Sequence, residues 1–172
     1  MFELKDLTDR LLRLDEDARL ILDDDNIYSC VIVGGGALIL MGYITRATHD
    51  IDVIYYKPQQ LIPLMEKYDM NTAVSAHIDC FPEDYLTRAK KINLKTRKID
   101  FYTLSLEDLV ISKLSVSRDK DIHDISSESV LSAINWGQLA VLAEEMKFSL
   151  LSDRAISEFE QNYNEFAERY KR

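Results

Sequence analysis

Apolar residues recur along the start of the chain at the spacing of an amphipathic helix. Between residues 3 and 24 they lie mostly three or four positions apart, at Leu4, Leu7, Leu11, Leu14, Ala18, Ile21 and Leu22. This spacing collects apolar side chains on one helical face, so it predicts one or two helices that pack against the rest of the fold. The polar run at residues 23–26 ends the pattern.

The next segment contains two runs typical of buried strands. Residues 28–33 and 51–56 are short, mostly apolar and rich in β-branched or aromatic residues, which favours strands. The glycines at 34–36 end the first run, and residues 37–43 are rich in Leu and Ala, which favours a helix. The predicted order is therefore strand, glycine turn, helix and strand.

The rest of the chain divides into a mixed part and a helical part. Before residue 105 the pattern predicts a helix from Pro58 to about Tyr68, a strand from Asn71 to Cys80, a helix from Asp84 to Lys91, and one or two strands between Ile92 and Leu104. From Ser105 onward the pattern is helical, and Ser105 with Asp108 three residues later approximates a capping box.

The last predicted helix carries an apolar and aromatic stripe. Its members lie at alternating spacings of three and four residues, and they are Ile156, Phe159, Tyr163, Phe166 and Tyr170. Such a stripe is explained either by core packing or by the seam of a homodimer. It does not indicate a platform for stacking bases, because stacking requires exposed rings beside positive charge.

The charge of the chain limits its partners. With 21 Lys and Arg against 30 Asp and Glu, the net charge is −9, which argues against non-specific coating of nucleic acid. One basic segment, residues 88–98, contains no acid and carries Arg88, Lys90, Lys91, Lys95, Arg97 and Lys98. It is either a solvated outer face or a patch for a phosphate-rich partner such as RNA.

The sequence predicts a soluble protein in the cytoplasm. The residues after Met1 show no basic region followed by an apolar run, so they do not resemble a secretory signal. The longest apolar stretch, from Cys30 to Ile44, is interrupted by four glycines and is shorter than the roughly 20 residues of a membrane helix.

The glycines at 34–36 are a candidate phosphate site. Glycines between a strand and a helix let a ligand approach the backbone closely, and the first N–H groups of a helix are unpaired. The spacing excludes two common alternatives, because Ile39 occupies the third glycine position of a dinucleotide fingerprint and no GK[ST] follows. Taken alone, a glycine triplet is more often a tight turn than a phosphate site.

Asp50 and Asp52 are candidate metal ligands. Side chains alternate along a strand, so both carboxylates should face one side while Ile51 faces the other. Paired carboxylate oxygens suit Mg²⁺, which prefers one or two carboxylates together with substrate phosphates. Asp100, an acid inside a strand-like segment, is the expected third ligand. A solvated strand edge is the alternative explanation for each acid.

In combination these features resemble the DNA polymerase β-like nucleotidyltransferase superfamily. Its pattern is a hydrophobic residue, two small residues, an Asp-x-Asp after ten or more residues, and a later carboxylate. Gly34, Gly35, Asp50, Asp52 and Asp100 match it here. Residues 30–125 also look like small bacterial proteins that include AbiEii-type abortive-infection toxins. The residues of this chain that match this branch are Gly42, Arg46, Thr48, Lys113, Arg118, Asp121 and Asp124.

The resemblance implies an α+β nucleotidyltransferase fold, with a small mixed sheet and helices in residues 1–104 and a helical C-terminal lobe in residues 105–172. It implies that Asp50, Asp52 and Asp100 hold Mg²⁺ and that the three glycines surround the phosphates of an NTP. Arg46, Thr48 and Lys113 would contact phosphate. A salt bridge is the alternative for Arg46, and a solvated helical position is the alternative for Lys113.

Two functional hypotheses follow. The first is a Mg²⁺-dependent transferase that moves a nucleotidyl group from an NTP to RNA, protein or a small molecule, as the toxin half of a pair with a cognate antitoxin. The second is a catalytically inactive binding or regulatory protein of the same fold. For Arg118, Asp121 and Asp124, helix capping is an alternative to a functional role. Self-association through the C-terminal stripe is compatible with both hypotheses.

Overall fold

The computed structural model describes residues 3–56, 59–74 and 80–171. Its strands are β1 (Tyr28–Val33), β2 (Ile51–Tyr56), β3 (Met70–Asn71), β4 (Lys90–Lys91) and β5 (Ile99–Thr103). Its helices are α1 (Leu4–Ile21), α2 (Gly34–Leu40), α3 (Ile62–Lys67), α4 (Leu106–Val116), α5 (Asp119–Ile125), α6 (Glu128–Ala133), α7 (Trp136–Ser149) and α8 (Asp153–Tyr170). Single 3-10 turns occupy Gln59–Leu61 and Tyr85–Arg88.

Within the described residues the strands form one mixed sheet in the order β3-β2-β1-β5-β4. Strand β1 is antiparallel to β2 and parallel to β5. Strand β2 is parallel to β3, and β4 is antiparallel to β5. A mixed sheet combined with many helices confirms the predicted α+β class.

The chain divides into two compact units. The first contains Met1–Ala76 and Ala89–Leu104, and therefore includes α1, α2, α3 and the whole sheet. The second contains His77–Arg88 and Ser105–Arg172, and therefore includes α4 to α8. The segment at 77–88 belongs to the helical unit although it precedes the last two strands.

The core of the first unit lies between α1 and one face of the sheet. Helix α1 packs against α2, α3 and β5. Alternate residues of three neighbouring strands are almost completely buried, namely Cys30, Ile32, Ile51, Val53, Ile99 and Phe101. The predicted apolar stripe of α1 supplies the facing side chains Leu7, Leu11, Leu14 and Ala18. Burial of these apolar surfaces is the main favourable contribution to folding of this unit.

Asp15 is a buried acid on the inner face of α1. Its carboxylate accepts backbone N–H groups from Arg97 at 2.9 Å, Lys98 at 2.7 Å and Ile99 at 2.7 Å. Bonds from neutral donors to an ionised acceptor are stronger than those between neutral groups. Asp15 therefore fixes the start of β5 against α1.

The ladder between β1 and β2 contains a β-bulge. Val31 is aligned with Tyr55, but the next residue of β1, Ile32, is aligned with Val53, so the register passes over Ile54. Beyond the bulge, Val33 is aligned with Asp52. A bulge places two residues of one strand opposite one of the other and changes which side chains share a face.

In the second unit, α4 packs against α5, α7 and α8. Ser105 is the N-cap of α4, and its hydroxyl oxygen accepts the N–H of Asp108 at 3.1 Å, as the sequence predicted. In the C-terminal stripe, Phe159 and Phe166 are buried, and the rings of Trp136 and Phe166 lie 5.8 Å apart. These contacts are core packing within the unit.

Two predicted elements differ from the structure. The predicted helix from Asp84 to Lys91 is a short 3-10 turn followed by β4, because pairing with β5 fixes Lys90–Lys91 in an extended form. Between Ile92 and Leu104 the structure has one strand, β5, in agreement with the predicted one or two. The predicted strand from Asn71 ends at that residue in β3, and its later residues 75–79 lie outside the described residues, as does Pro58.

Replacing Asp15 with Ala should destabilise the first unit. The change leaves three backbone donors, two of them buried and one half-buried, without their acceptor, so we expect the free energy of unfolding to fall by about 3 kcal/mol. Urea denaturation of the variant and the wild type measures this loss. The matched control is Glu16→Ala, an exposed acid on the same helix, which should change the stability by less than about 0.5 kcal/mol. Equal effects of both changes would contradict the assigned role.

Candidate active site

The glycine turn begins α2 directly at the end of β1. Gly34 has a φ of +67°, a backbone conformation that L-residues with a side chain rarely adopt. The helix therefore starts at the glycines, three residues earlier than the composition of residues 37–43 suggested. This turn is next to the start of β2 because Val33 and Asp52 are aligned.

Asp52 lies against the backbone of Gly34. A Cβ atom added to Gly34 would be 2.5 Å from Oδ2 of Asp52, closer than real Cβ contacts allow. The other carboxylate oxygen, Oδ1, accepts a hydrogen bond from Nδ2 of Asn71 at 3.0 Å. The glycine thus provides the space that the carboxylate occupies, and the structure brings together two predicted site residues.

Arg46 and Thr48 lie beside Gly35. A Cβ on Gly35 would be 3.1 Å from Nη2 of Arg46 and 3.7 Å from Oγ1 of Thr48. Arg46 donates from Nη1 to the carbonyl of Ala47 at 3.2 Å, and the buried Thr48 donates to the carbonyl of Asp50 at 3.2 Å. A guanidinium group and a hydroxyl group therefore meet the turn from the loop before β2.

Asp50 is exposed and Gly36 is buried, so these two predicted site residues lie in different environments. Asp50 is exposed and directly precedes β2, and Ile51 after it is buried, in agreement with the predicted alternation. Gly36 is buried, and a Cβ there would make ordinary contacts near 4 Å with Ile32 and with the backbone of Ile51. Gly36 therefore faces the sheet, whereas Gly34 and Gly35 face the site side chains.

Asp100 lies far along the sheet from Asp52. It is aligned with Ser29 of β1, whereas Asp52 is aligned with Val33, four residues further on. At about 3.3 Å per residue this offset is about 13 Å, much more than two ligands of one ion allow. Asp100 instead pairs with Lys91, whose Nζ lies 2.7 Å from Oδ1. This placement differs from the expected third carboxylate because the parallel register of β5 puts Asp100 at the opposite end of β1.

Asp50 and Asp52 fit a Mg²⁺ ion that shares substrate phosphates. Mg²⁺ is commonly bound by one or two carboxylates, with phosphate oxygens and water completing its octahedron. In the described part of the chain, no group of three or more His, Cys, Asp or Glu is arranged to hold a metal ion. A site made only of protein ligands therefore does not fit these residues.

Lys113 lies in the second unit and is almost completely buried there. Its Nζ donates to Asp121 at 2.6 Å and to Asp124 at 3.0 Å, and Asp121 also accepts from Arg118 at 2.6 Å. Burial raises the pKa of Asp121, but the hydrogen bonds from Lys113 and Arg118 lower it by more, so the pKa lies below its usual value. The predicted alternative of a solvated lysine does not match this environment.

The basic segment at 88–98 is divided among separate ion pairs. Within the second unit, Arg88 pairs with the fully buried Asp108 at 2.7 Å. Within the first unit, Lys98 pairs with Asp24 at 2.6 Å, and hydrogen bonds from Lys98 and Tyr28 lower the pKa of Asp24 to about 2. The exposed members of the segment are Lys90, Lys91, Lys95 and Arg97.

Asn71 is a site residue that the sequence reasoning missed. Its position is aligned with Asp52 through the parallel pairing of β3 with β2. The sequence indicated Asn71 only as the first residue of a predicted strand. An uncharged amide in a short strand carries no spacing pattern that indicates a site.

A glycine turn facing an acidic strand of a mixed sheet is the arrangement expected of a nucleotidyltransferase. The chain belongs to a family described as "nucleotidyltransferase of unknown function (DUF6036)", whose model matches residues 9–171. Comparisons with curated proteins and with solved structures gave no significant match. The family match confirms the resemblance to nucleotidyltransferases, and the AbiEii-type branch stays a prediction.

Among residues 3–56, 59–74 and 80–171, no helix has both the length and the hydrophobicity needed to cross a bilayer.

Replacing Gly34 with Ala should cost more stability than replacing Gly42 with Ala. Both glycines have positive φ, so each change introduces about 1–2 kcal/mol of backbone strain. At Gly42 a Cβ has no neighbour within 4 Å, whereas at Gly34 it meets Asp52. Urea denaturation should therefore show the larger loss for Gly34→Ala. Equal losses would contradict the close approach of Asp52.

Replacing Lys113 with Met should destabilise the second unit by about 3–5 kcal/mol at pH 7, because buried carboxylates lose their partner. The lowered pKa of Asp121 in the folded protein means that its stabilising effect is present above pH about 4 and is lost on further acidification. The difference between variant and wild type should therefore shrink below pH 4. Urea denaturation at several pH values measures it, with the exposed Lys120→Met as control. A difference independent of pH would contradict this account.

Proposed function

We propose that this protein transfers a nucleotidyl group from an NTP to a hydroxyl-bearing acceptor, with Mg²⁺ held by Asp50 and Asp52. In this reaction the acceptor oxygen bonds to the α-phosphorus and the bond to the β-phosphate oxygen breaks. Pyrophosphate leaves, and the acceptor proton passes to water. Membership of the nucleotidyltransferase family supports the reaction class.

The close approach of Asp52 to Gly34 is the observation that carries the proposal. A side chain at residue 34 would occupy the position of the carboxylate, so the glycine and the acid form one arrangement. Asp50, two residues earlier in the chain, is exposed, and the turn at Gly34 has a backbone that a phosphate can approach. If the acid only happened to lie near a surface turn, residue 34 would not have to be a glycine.

The other residues have roles that follow from their chemistry. Arg46 is a permanent cation beside Gly35, so it can neutralise charge on the phosphates of the nucleotide. Thr48 donates to the carbonyl of Asp50 and so holds the loop that carries this acid. When bound, Mg²⁺ would supply charge neutralisation of the triphosphate and of the departing pyrophosphate.

We extend the proposal to the acceptor and the biological role. The exposed cations Lys90, Lys95 and Arg97 are suited to contact phosphates of an RNA acceptor, and a protein or small-molecule acceptor is the alternative. The resemblance to AbiEii-type proteins supports a toxin paired with a cognate antitoxin.

A second candidate function is a nucleotidyltransferase-fold protein that binds a nucleotide without catalysis. The register that separates Asp100 from Asp52 favours it, because a third carboxylate is then missing from the described site. Calorimetry distinguishes the two functions. NTP binding that does not depend on Mg²⁺, without labelling of any acceptor, supports the second function.

The proposed transfer should depend on Asp50 and Asp52. With an NTP labelled at the α-phosphate, Mg²⁺ and cellular RNA or protein, Asp52→Asn and Asp50→Asn should each reduce labelling by about a hundredfold or more, because several kcal/mol of charge stabilisation is lost. Labelling is measured after gel separation of the acceptors.

Two further variants make this test specific. Asp9→Asn, at an exposed position of α1, is the matched control and should label acceptors like the wild type. Asp100→Asn should also retain labelling, because the β5 register removes Asp100 from the site. Labelling by the wild type that persists in both Asp50→Asn and Asp52→Asn would overturn the proposed site.

A further inference from the structure

Asn71 lies directly beside the acid at the centre of the candidate site. Parallel pairing of β3 with β2 aligns Asn71 with Asp52, and its side chain reaches the carboxylate of that acid. The hydrogen bond from Nδ2 to Oδ1 measures 3.0 Å. Oδ1 is thereby held on the β3 side of Asp52, while Oδ2 lies against Gly34.

A second hydrogen bond fixes which end of the amide faces Asp52. Oδ1 of Asn71 accepts the backbone N–H of Ala73 at 3.1 Å, so the carbonyl end of the amide is turned toward the backbone that follows β3. The NH₂ group, which can only donate, is then the end that meets the carboxylate. Asn71 therefore acts as a donor to Asp52, and its amide oxygen is occupied by Ala73.

The turn before Asn71 is held by contacts with α1. Asp69 has a φ of +57° and pairs with Arg10 of α1 at 2.5 Å, and its carbonyl accepts the N–H of Ile51 at 3.0 Å. One residue earlier, the hydroxyl of Tyr68 donates to Asp17 of α1 at 2.7 Å. These contacts attach β3 to both α1 and β2, so the donor of Asn71 is placed by several independent interactions.

We propose that Asn71 is a positioning residue that orients the Asp52 carboxylate for metal binding. By donating to Oδ1 it fixes the rotation of the carboxylate and keeps Oδ2 at the glycine turn. Groups that orient a ligand in this way commonly contribute about 10–100-fold to metal affinity or activity. This inference rests on the proposed function, because it assigns Asp52 a metal ion to bind.

The test compares metal binding and metal dependence in variants of the whole protein. Binding of Mn²⁺ to the protein, measured by electron paramagnetic resonance with a saturating non-hydrolysable NTP analogue and corrected for the Mn²⁺ that the analogue binds alone, should weaken about 10–100-fold in Asn71→Ala. The Mg²⁺ concentration that gives half-maximal nucleotidyl transfer should rise by a similar factor, and excess Mg²⁺ should restore most of the rate. Asn93→Ala, at an exposed asparagine of the same unit, should match the wild type in both measurements.

A purely structural role for Asn71 gives a different result. It would lower the free energy of unfolding but leave the Mn²⁺ affinity and the Mg²⁺ dependence of the folded protein unchanged, and that result would overturn the inference. If Asn71→Ala does not fold, Asn71→Leu, which has a similar volume but no donor, replaces it and should show the same weakened Mn²⁺ binding.

The outcomes also separate this inference from the proposed function. If the wild type binds Mn²⁺ but labels no acceptor, the proposed transfer fails and the comparison of Mn²⁺ affinities still decides the role of Asn71. If the wild type transfers nucleotide and Asn71→Ala has an unchanged metal requirement, only the inference about Asn71 fails. If the wild type neither binds Mn²⁺ nor transfers, both fail.

Discussion

The backbone pairing of β1 with β2 determines the geometry of the candidate site. Because the strands are antiparallel and Val33 is aligned with Asp52, the chain leaves β1 through a glycine turn at the point where the acid enters β2. The missing side chain of Gly34 then lets the carboxylate approach the backbone. The loop that supplies Arg46 precedes the same strand. Local sequence provides these groups, and the sheet register brings them together.

The sequence predicted this half of the molecule well, since β1 and β2 have the predicted bounds and Gly34 and Asp52 were both predicted site residues. Both strands are apolar runs with clear ends, so their limits are local properties. The misplaced expectation for Asp100 has a long-range cause. An acid inside a strand does not indicate which end of its neighbour it will meet, and that alignment depends on parallel backbone pairing. The role of Asn71 depends on a similar alignment.

The basic segment shows why composition alone misjudges a surface. Counted along the sequence, residues 88–98 form a cationic island, yet Arg88, Lys91 and Lys98 pair with acids elsewhere in the chain. The partners of Arg88 and Lys98 are 20 and 74 residues away in sequence. The charge available to an external partner is correspondingly smaller. Ion pairing between distant segments thus changes the electrostatics that local charge counting predicts.

The bulge in β2 determines which residue of this strand is aligned with Val33 at the end of β1. If Ile54 were kept and the ladder ran without interruption from the Tyr55 pair, Ile54 would be aligned with Ile32 and Val53 with Val33, and an apolar group would stand beside the glycines. Asp52 would then lie past the end of β1. Among homologous chains, deletion of the residue at position 54 would remove the bulge and leave the acid aligned with Val33, so a one-residue gap there would preserve the site rather than rebuild it.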